Sequence, residues 1–319
     1  MQRFLVHRFL QMGVILVGLS IMIFSLLALT PGDPVDLIAA SDPNIRPEDV
    51  KALREYYGVD DPIHVRYLKW LRATLKGDLG YSRTYGQPVA RIIGERIANT
   101  AWLLGASFLI GFSIGIPIGI HSALHQYSRS DYVATVFSFG GLAMPVFWQG
   151  IIFILLFAVW LPIFPAGGFT QPGYQGWWVW DRLRHLVLPA LVLGTHGWAS
   201  WTRYMRSSML EVLRQDYVRT ARAKGVPEPS VINSHALRNA LIPIITLLAL
   251  SFPGLVSGAV ITETVFSWPG MGLLLYQAIL GHDYNVAMAA LLFHALLVVM
   301  FNLMADIAYA IVDPRVRYS

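Results

Sequence analysis

The chain has 319 residues, 55% hydrophobic and only 13% charged, with no cysteine. A water-soluble domain carries about 25% charged residues, so this composition excludes a water-facing surface over most of the chain and makes lipid the main solvent. The lack of cysteine excludes a disulfide framework and a thiolate nucleophile, and a mean hydropathy of +0.53 fits a membrane protein.

Charge-free windows run between Arg8 and Asp33, Arg96 and Arg129, Asp131 and Asp181, Arg184 and Arg203, Arg238 and Glu263, and Asp283 and Asp306. About 20 residues cross a hydrocarbon core of about 30 Å as a helix. The sequence therefore predicts an all-α polytopic membrane protein. Its six transmembrane helices fall near Phe9–Leu29, Ala98–His121, Val133–Leu161, Leu186–Tyr204, Leu241–Ile261 and Val286–Val312. The first run is too long for the apolar core of a cleaved signal, so it is expected to remain as a span.

Thr30–Pro34 is a turn-forming cluster that ends span one. Arg46–Tyr57 has Val50, Leu53 and Tyr57 at helical spacing, and Pro62–Leu75 has Val65, Leu68 and Leu75. Both read as short helices outside the bilayer. Gly77–Gly86 reads as a loop and Val89–Ile97 as a lead-in helix to span two. The chain thus divides into an N-terminal segment with the first span (1–30), an extracytoplasmic loop with short helices (31–97), and a five-helix core (98–319) with a polar loop at 205–240.

Span two holds Gly111, Gly115 and Gly119, a spacing that lets a neighbouring backbone approach closely, with packing inside the subunit favoured over a subunit interface. Pro117, Pro145, Pro189 and Pro253 predict bends in four spans. Trp160, Trp177, Trp178 and Trp180 cluster at one membrane boundary, as headgroup anchors do.

Of the net charge of +5, placement matters most. Seven basic residues run from Arg203 to Arg238, while the short loops on the opposite side hold only Arg182 and Arg184. The long 30–97 segment carries ten basic and ten acidic residues, and long loops count weakly. Both termini are therefore predicted on the cytoplasmic side. The basic residues line membrane edges rather than form a separate domain, which argues against nucleic-acid binding.

The chain has no G-x-x-x-x-G-K-[ST] loop to cradle nucleotide phosphates and no H-E-x-x-H zinc motif. His121 and His125 stand four apart but lack an evident third ligand. Glu263 and Asp306 lie near the ends of spans, where an ion-coupled carrier would place its carboxylates deeper.

The polar stretch Asp216–Pro243 carries the clearest architecture. Tyr217–Lys224 has good helix formers, Gly225 suits the left-handed conformation that ends a helix, and Pro227 blocks continuation. Ser230 is predicted to cap a second helix from Val231 toward Leu241. A helix, a tight corner and a re-entering helix suit either a plain well-ordered loop or an element that docks on a partner, and neither is shaped like a catalytic site. Inside the spans, Trp148, Gln149, Ser251 and Ser257 are the polar or amphipathic candidates for lining a pathway, each equally suited to helix–helix contact.

Seven landmarks occur in order: TPGDP at 30–34, GDLGYS at 77–82, ERIANT at 95–100, DYVRTARAKG at 216–225, HALRNALIP at 235–243, ETVFSWPGMG at 263–272 and DPRVRY at 313–318. In these the chain resembles the permease subunits of ABC importers for dipeptides, oligopeptides and nickel, in particular the first of two paired permeases. The general E-A-A-x3-G signature is only partly kept, at Ala221 and Gly225, with Leu237 matching the leucine of the later I-x-L-P.

The resemblance implies a type I importer permease fold and no catalysis by this chain. It also implies a coupling loop that docks on an ATP-hydrolysing subunit through Tyr217, Arg219, Thr220, Ala221, Arg222, Lys224, Gly225 and Leu237, with Tyr217 and Ala221 packing. The implied partners are a second permease, one or two kinds of ATPase and an extracytoplasmic solute-binding protein. No cofactor is expected in this chain, ATP and magnesium being held by the ATPases. Peptide import is the first expectation, nickel import the second and an ion-coupled carrier the third.

Overall fold

The computed structural model describes residues 2–29, 46–57 and 61–312. The TPGDP and DPRVRY landmarks lie outside the described residues. Apart from one bridge between Tyr81 and Pro88, all regular structure among the described residues is helical. In chain order the helices are α1 (Gln2–Ala28), α2 (Pro47–Tyr57), α3 (Ile63–Leu75), α4 (Val89–Leu124), α5 (Arg129–Ala143) and α6 (Val146–Ile154). They continue as α7 (Trp178–Leu213), α8 (Asp216–Ala223), α9 (Arg238–Val265), α10 (Met271–Leu280) and α11 (Tyr284–Val312).

Three helical stretches are long and apolar enough to cross a bilayer: Val6–Ala28, Val89–Leu124 and Tyr284–Ile307. A fourth is reached if α5 and the segment Val146–Trp160 form one crossing. The six expected spans are thus met at three helices, or four with that bent pair. The lead-in helix and span two are one continuous rod, α4, 36 residues long.

Span three bends at Pro145, as expected, and the bend is a sharp one. α5 and the helix after it meet at 110°. Met144, directly before the proline, is extended at φ −88° and ψ 126°, since the pyrrolidine ring disfavours helical backbone in the residue ahead of it. Pro145 then opens α6, which continues as a π-helical turn over Leu155–Trp160.

The α4–α7 pair is the spine of the molecule. At Gly111, Gly115 and Gly119 the α7 backbone comes so close that no side chain fits. A Cβ on Gly115 would stand 2.8 Å from the Trp198 carbonyl oxygen, and one on Gly119 2.7 Å from that of Thr202. The small-residue stripe thus serves packing inside the subunit. Thr202 also donates to the Gly115 carbonyl at 3.1 Å. Around this seam Ile116, Trp201, Met205 and Met209 bury against Ala236, Ala240 and Ile244.

A second set of contacts ties the chain together at the tryptophan-bearing end. Glu263, fully buried near the end of α9, accepts from Thr100 Oγ1 at 2.7 Å and from the backbone amides of Gly272 and Leu273 at 2.6 and 3.2 Å. Its carboxylate therefore caps the first turn of α10 and binds that helix to α4. Trp268 Nε1 donates to Asn99 O, and Asn99 Nδ2 to Pro269 O. Next to it the Gly77–Gly86 loop is clamped onto the α10–α11 corner. Ser82 Oγ and the Thr84 amide donate to Asp283 at 2.5 and 3.0 Å, and Asn285 donates to Tyr81 O at 2.9 Å. α1 stands at the rim, where Ile23 and Phe24 meet Met288, Tyr67 and Trp70.

Candidate functional site

α7 runs from the exposed Trp178 and Trp180 to Leu213. After two linking residues α8 begins, so the polar corner lies at the end of the molecule opposite the tryptophans. α8 ends where expected: Gly225 has φ +76°, and its amide closes onto Arg222 O at 3.0 Å. The second arm starts earlier than the sequence suggested. Pro227, with ψ 137°, precedes the helical turn Glu228–Ser230, and Ser230 lies inside that turn at φ −74° and ψ −36° without capping anything. Pro229 fixes a helical φ there, which moves the start upstream of Ser230. The arm continues π-helically over Val231–Leu237 and passes without a break into α9.

Two devices stiffen the corner. Val218 and Ala221 of α8 bury against Val231, flanked by Val212 and Val226. Across the open side, Arg222 grips Glu228 with Nη2 to Oε1 at 2.7 Å and Nε to Oε2 at 3.1 Å. That contact holds the Glu228 carboxyl below its usual range and raises the Arg222 guanidinium. Arg219 pairs with Asp216 at 3.2 Å within the helix.

The expected docking residues therefore divide. Tyr217, Arg219, Thr220, Arg222, Lys224 and Gly225 lie at the exposed surface of the corner. Ala221 does not: it is 7% exposed and belongs to the corner's own core. Leu237 is half-buried and packs toward α7 and α9. Both residues shape the element from within, because a helix this short must bury one side to stay folded.

The four pathway candidates are not joined to one another by any hydrogen bond among the described residues. Trp148 is exposed. Gln149 is buried at the α5–α6 bend, where Nε2 donates to Gly141 O at 2.9 Å while Oε1 finds no partner. Ser251 Oγ returns to Leu248 O at 2.7 Å, and Ser257 Oγ to Pro253 O at 3.4 Å.

Two arrangements escaped the sequence reading. Asp131, at the start of α5, takes both Nε and Nη2 of Arg206 on α7 at 2.8 Å. Ser128 caps the same helix through the Asp131 amide at 3.2 Å, and the Ser-x-x-Asp spacing was the available signal. The Glu263 cap carries no comparable local pattern. Gly111–Gly115 spells G-x-S-x-G, the letters of a hydrolase nucleophile elbow, but it lies inside α4 rather than on a strand-to-helix turn. His121 and His125 stack at 4.3 Å, and no group of three metal-ligating residues occurs among the described residues.

An all-helical subunit with a rigid polar corner at one membrane face is the form of an importer permease. Residues 115–318 match the family described as binding-protein-dependent transport system inner membrane component, and residues 1–104 match its N-terminal companion. The chain belongs to this family, and is a multi-pass inner-membrane protein.

Among curated relatives it is 45% identical to the oligopeptide transport system permease protein AppB of Bacillus subtilis, over 100% of both chains. It is 43% identical to a putative peptide permease of Brucella suis, again over 100% of both, and 36% identical to the dipeptide transport system permease protein DppB of Escherichia coli K12, over 95% of both. A solved chain of the MetNI methionine ABC transporter in an inward-facing conformation shares the fold, with TM-score 0.55 at 16% identity over 70% of this chain and 96% of that one.

Proposed function

We propose that this chain is the first of two different permease subunits of an ABC importer for di- and oligopeptides. Both termini and the corner lie in the cytoplasm, the chain crosses the membrane six times, and an extracytoplasmic binding protein delivers the peptide. The observation that carries this reading is the corner itself. Five side chains, Tyr217, Arg219, Thr220, Arg222 and Lys224, are presented outward by an element braced from behind and rigidly continuous with α9. Such an element receives force; it has no nucleophile or phosphate loop of its own.

ATP and magnesium belong, on this reading, to separate ATPases seated on that face. The peptide-permease descriptions of the relatives favour peptides over nickel as cargo. The six crossings use α7 and α9, 36 and 28 residues long, besides the spans described above.

The test uses Gly225. A Cβ there meets nothing within 4 Å, so a substitution acts through backbone strain alone. Left-handed backbone costs a non-glycine residue about 1–2 kcal/mol, more when β-branched and least for asparagine. Gly225→Val is expected to insert normally, lose ATP-dependent peptide uptake and release the co-purifying ATPase, while Gly225→Asn keeps both. Full uptake by Gly225→Val, or uptake by the chain without any ATPase, refutes the docking reading.

A further inference from the structure

A cavity of about 320 Å³ opens between α4, α5 and α7 on the corner side of the molecule. Its polar wall includes Thr135, Arg203, Arg206 and Ser207, and its apolar wall Phe139 and Leu142. No carboxylate is among its lining residues. Arg206 is neutralised by the bidentate contact with Asp131 behind the wall. Arg203 is exposed, makes no ion pair among the described residues, and lies with its guanidinium 5.1 Å from the centre of the Tyr204 ring. The cavity thus holds one uncompensated positive charge beside hydroxyl groups, with a greasy side to continue along.

Depth decides what this suits. Arg203 follows Trp180 by 23 residues on the same helix, a rise of about 35 Å. With the tryptophans at one headgroup level, a hydrocarbon core of about 30 Å sets Arg203 at the other. A cation, hydroxyls and an apolar wall at that level match a phosphodiester and the first carbons of an acyl chain. Anionic lipids are concentrated in the cytoplasmic leaflet, and basic pockets between helices there take their headgroups.

We propose that this cavity is a site for one anionic phospholipid of the cytoplasmic leaflet, with Arg203 and Ser207 on its phosphate and Phe139 and Leu142 against the start of a chain. The proposal rests on the orientation given above, which puts this end in the cytoplasm. A lipid there would wedge α5 against α7 beside the Asp131–Arg206 pair, next to the first leg of the 110° bend.

The test places the full chain, with the subunits that purify alongside it, in nanodiscs of dioleoyl phosphatidylcholine containing dioleoyl phosphatidylglycerol. Native mass spectrometry then counts the phosphatidylglycerol retained. Wild type is expected to hold one molecule that Arg203→Gln retains about tenfold less well or worse, as loss of a charged hydrogen bond implies. Arg203→Lys is expected to recover much of it, because lysine still meets phosphate as a point charge. Equal retention by wild type and Arg203→Gln overturns the proposal. So does displacement of the lipid by inorganic phosphate, which marks a free-anion site. A changed KM for acidic peptides with retention intact also overturns it and assigns Arg203 to the transport route. Retention is read without ATP or peptide, so failure of the Gly225 test leaves this result standing.

Discussion

Glu263 offers the most demanding check on how the tryptophan-bearing end is built. Its carboxylate is fully buried and accepts from Thr100 and from two amides of α10. Replacing it with alanine removes the acceptor for all of these donors. Each buried amide left without a partner costs about 1–3 kcal/mol, so the two together cost about 2–6 kcal/mol before the lost volume is counted. Glu263→Gln keeps one carbonyl oxygen for both amides and sacrifices only the Thr100 hydroxyl contact, for about 1 kcal/mol. The expected order in thermal unfolding of the detergent-solubilised protein is wild type, then Gln slightly below, then Ala far below. Hydrogen exchange followed by mass spectrometry should show amides at the start of α10 losing protection in Glu263→Ala alone. If Glu263→Ala melts with wild type and keeps those amides protected, the carboxylate is not what holds α10 to α4.

Other expectations follow from the same contacts. Gly115→Ala drives a methyl into the Trp198 backbone, which cannot swing aside, and should destabilise by about 1–3 kcal/mol, whereas Gly105→Ala meets nothing within 4 Å and should be neutral or better in the same melt. Asp131→Asn leaves Arg206 half-buried and unpaired and should cost about 2–4 kcal/mol, with Asp131→Asn/Arg206→Gln less damaging than the two single effects summed. The Glu228 carboxyl is held below its ordinary value near 4.5, so its contribution to the corner is fully present above that pH and fades as pH falls through the lowered value. Hydrogen exchange across Asp216–Leu237, corrected for intrinsic rates, should therefore be flat from neutral pH to about 5 and rise only in more acid solution. In Glu228→Gln that acid-dependent rise should disappear.

Much of this architecture is readable in the sequence because lipid leaves few choices. Charge-free windows place α1, α4 and α11, and the Gly225–Pro227 pair places the corner, since both signals are local. The failures are of a different kind. Ser230 looked like a cap because serine usually is one, yet Pro227 and Pro229 had already started the turn. Which way α8 faces is decided by Ala221 packing against Val231, and a motif position does not encode that. The bend at Pro145 exceeds any proline kink inferred from residue type alone. The Asp131–Arg206 and Ser82–Asp283 contacts join residues 75 and 201 positions apart, a separation that no local pattern encodes.

α9 is one unbroken helix of 28 residues, about 42 Å long, whose two ends are both fastened. One end grows out of the polar corner, and the other finishes in the Glu263 cap beneath α10. Between them the helix carries two prolines, Pro243 and Pro253, which cannot donate to its ladder. A strut pinned this way puts the polar corner and the Glu263 cap in mechanical series. Tension applied at one anchorage is either relayed to the other or absorbed at two joints, so the compliance of those joints sets how much movement at one end reaches the other.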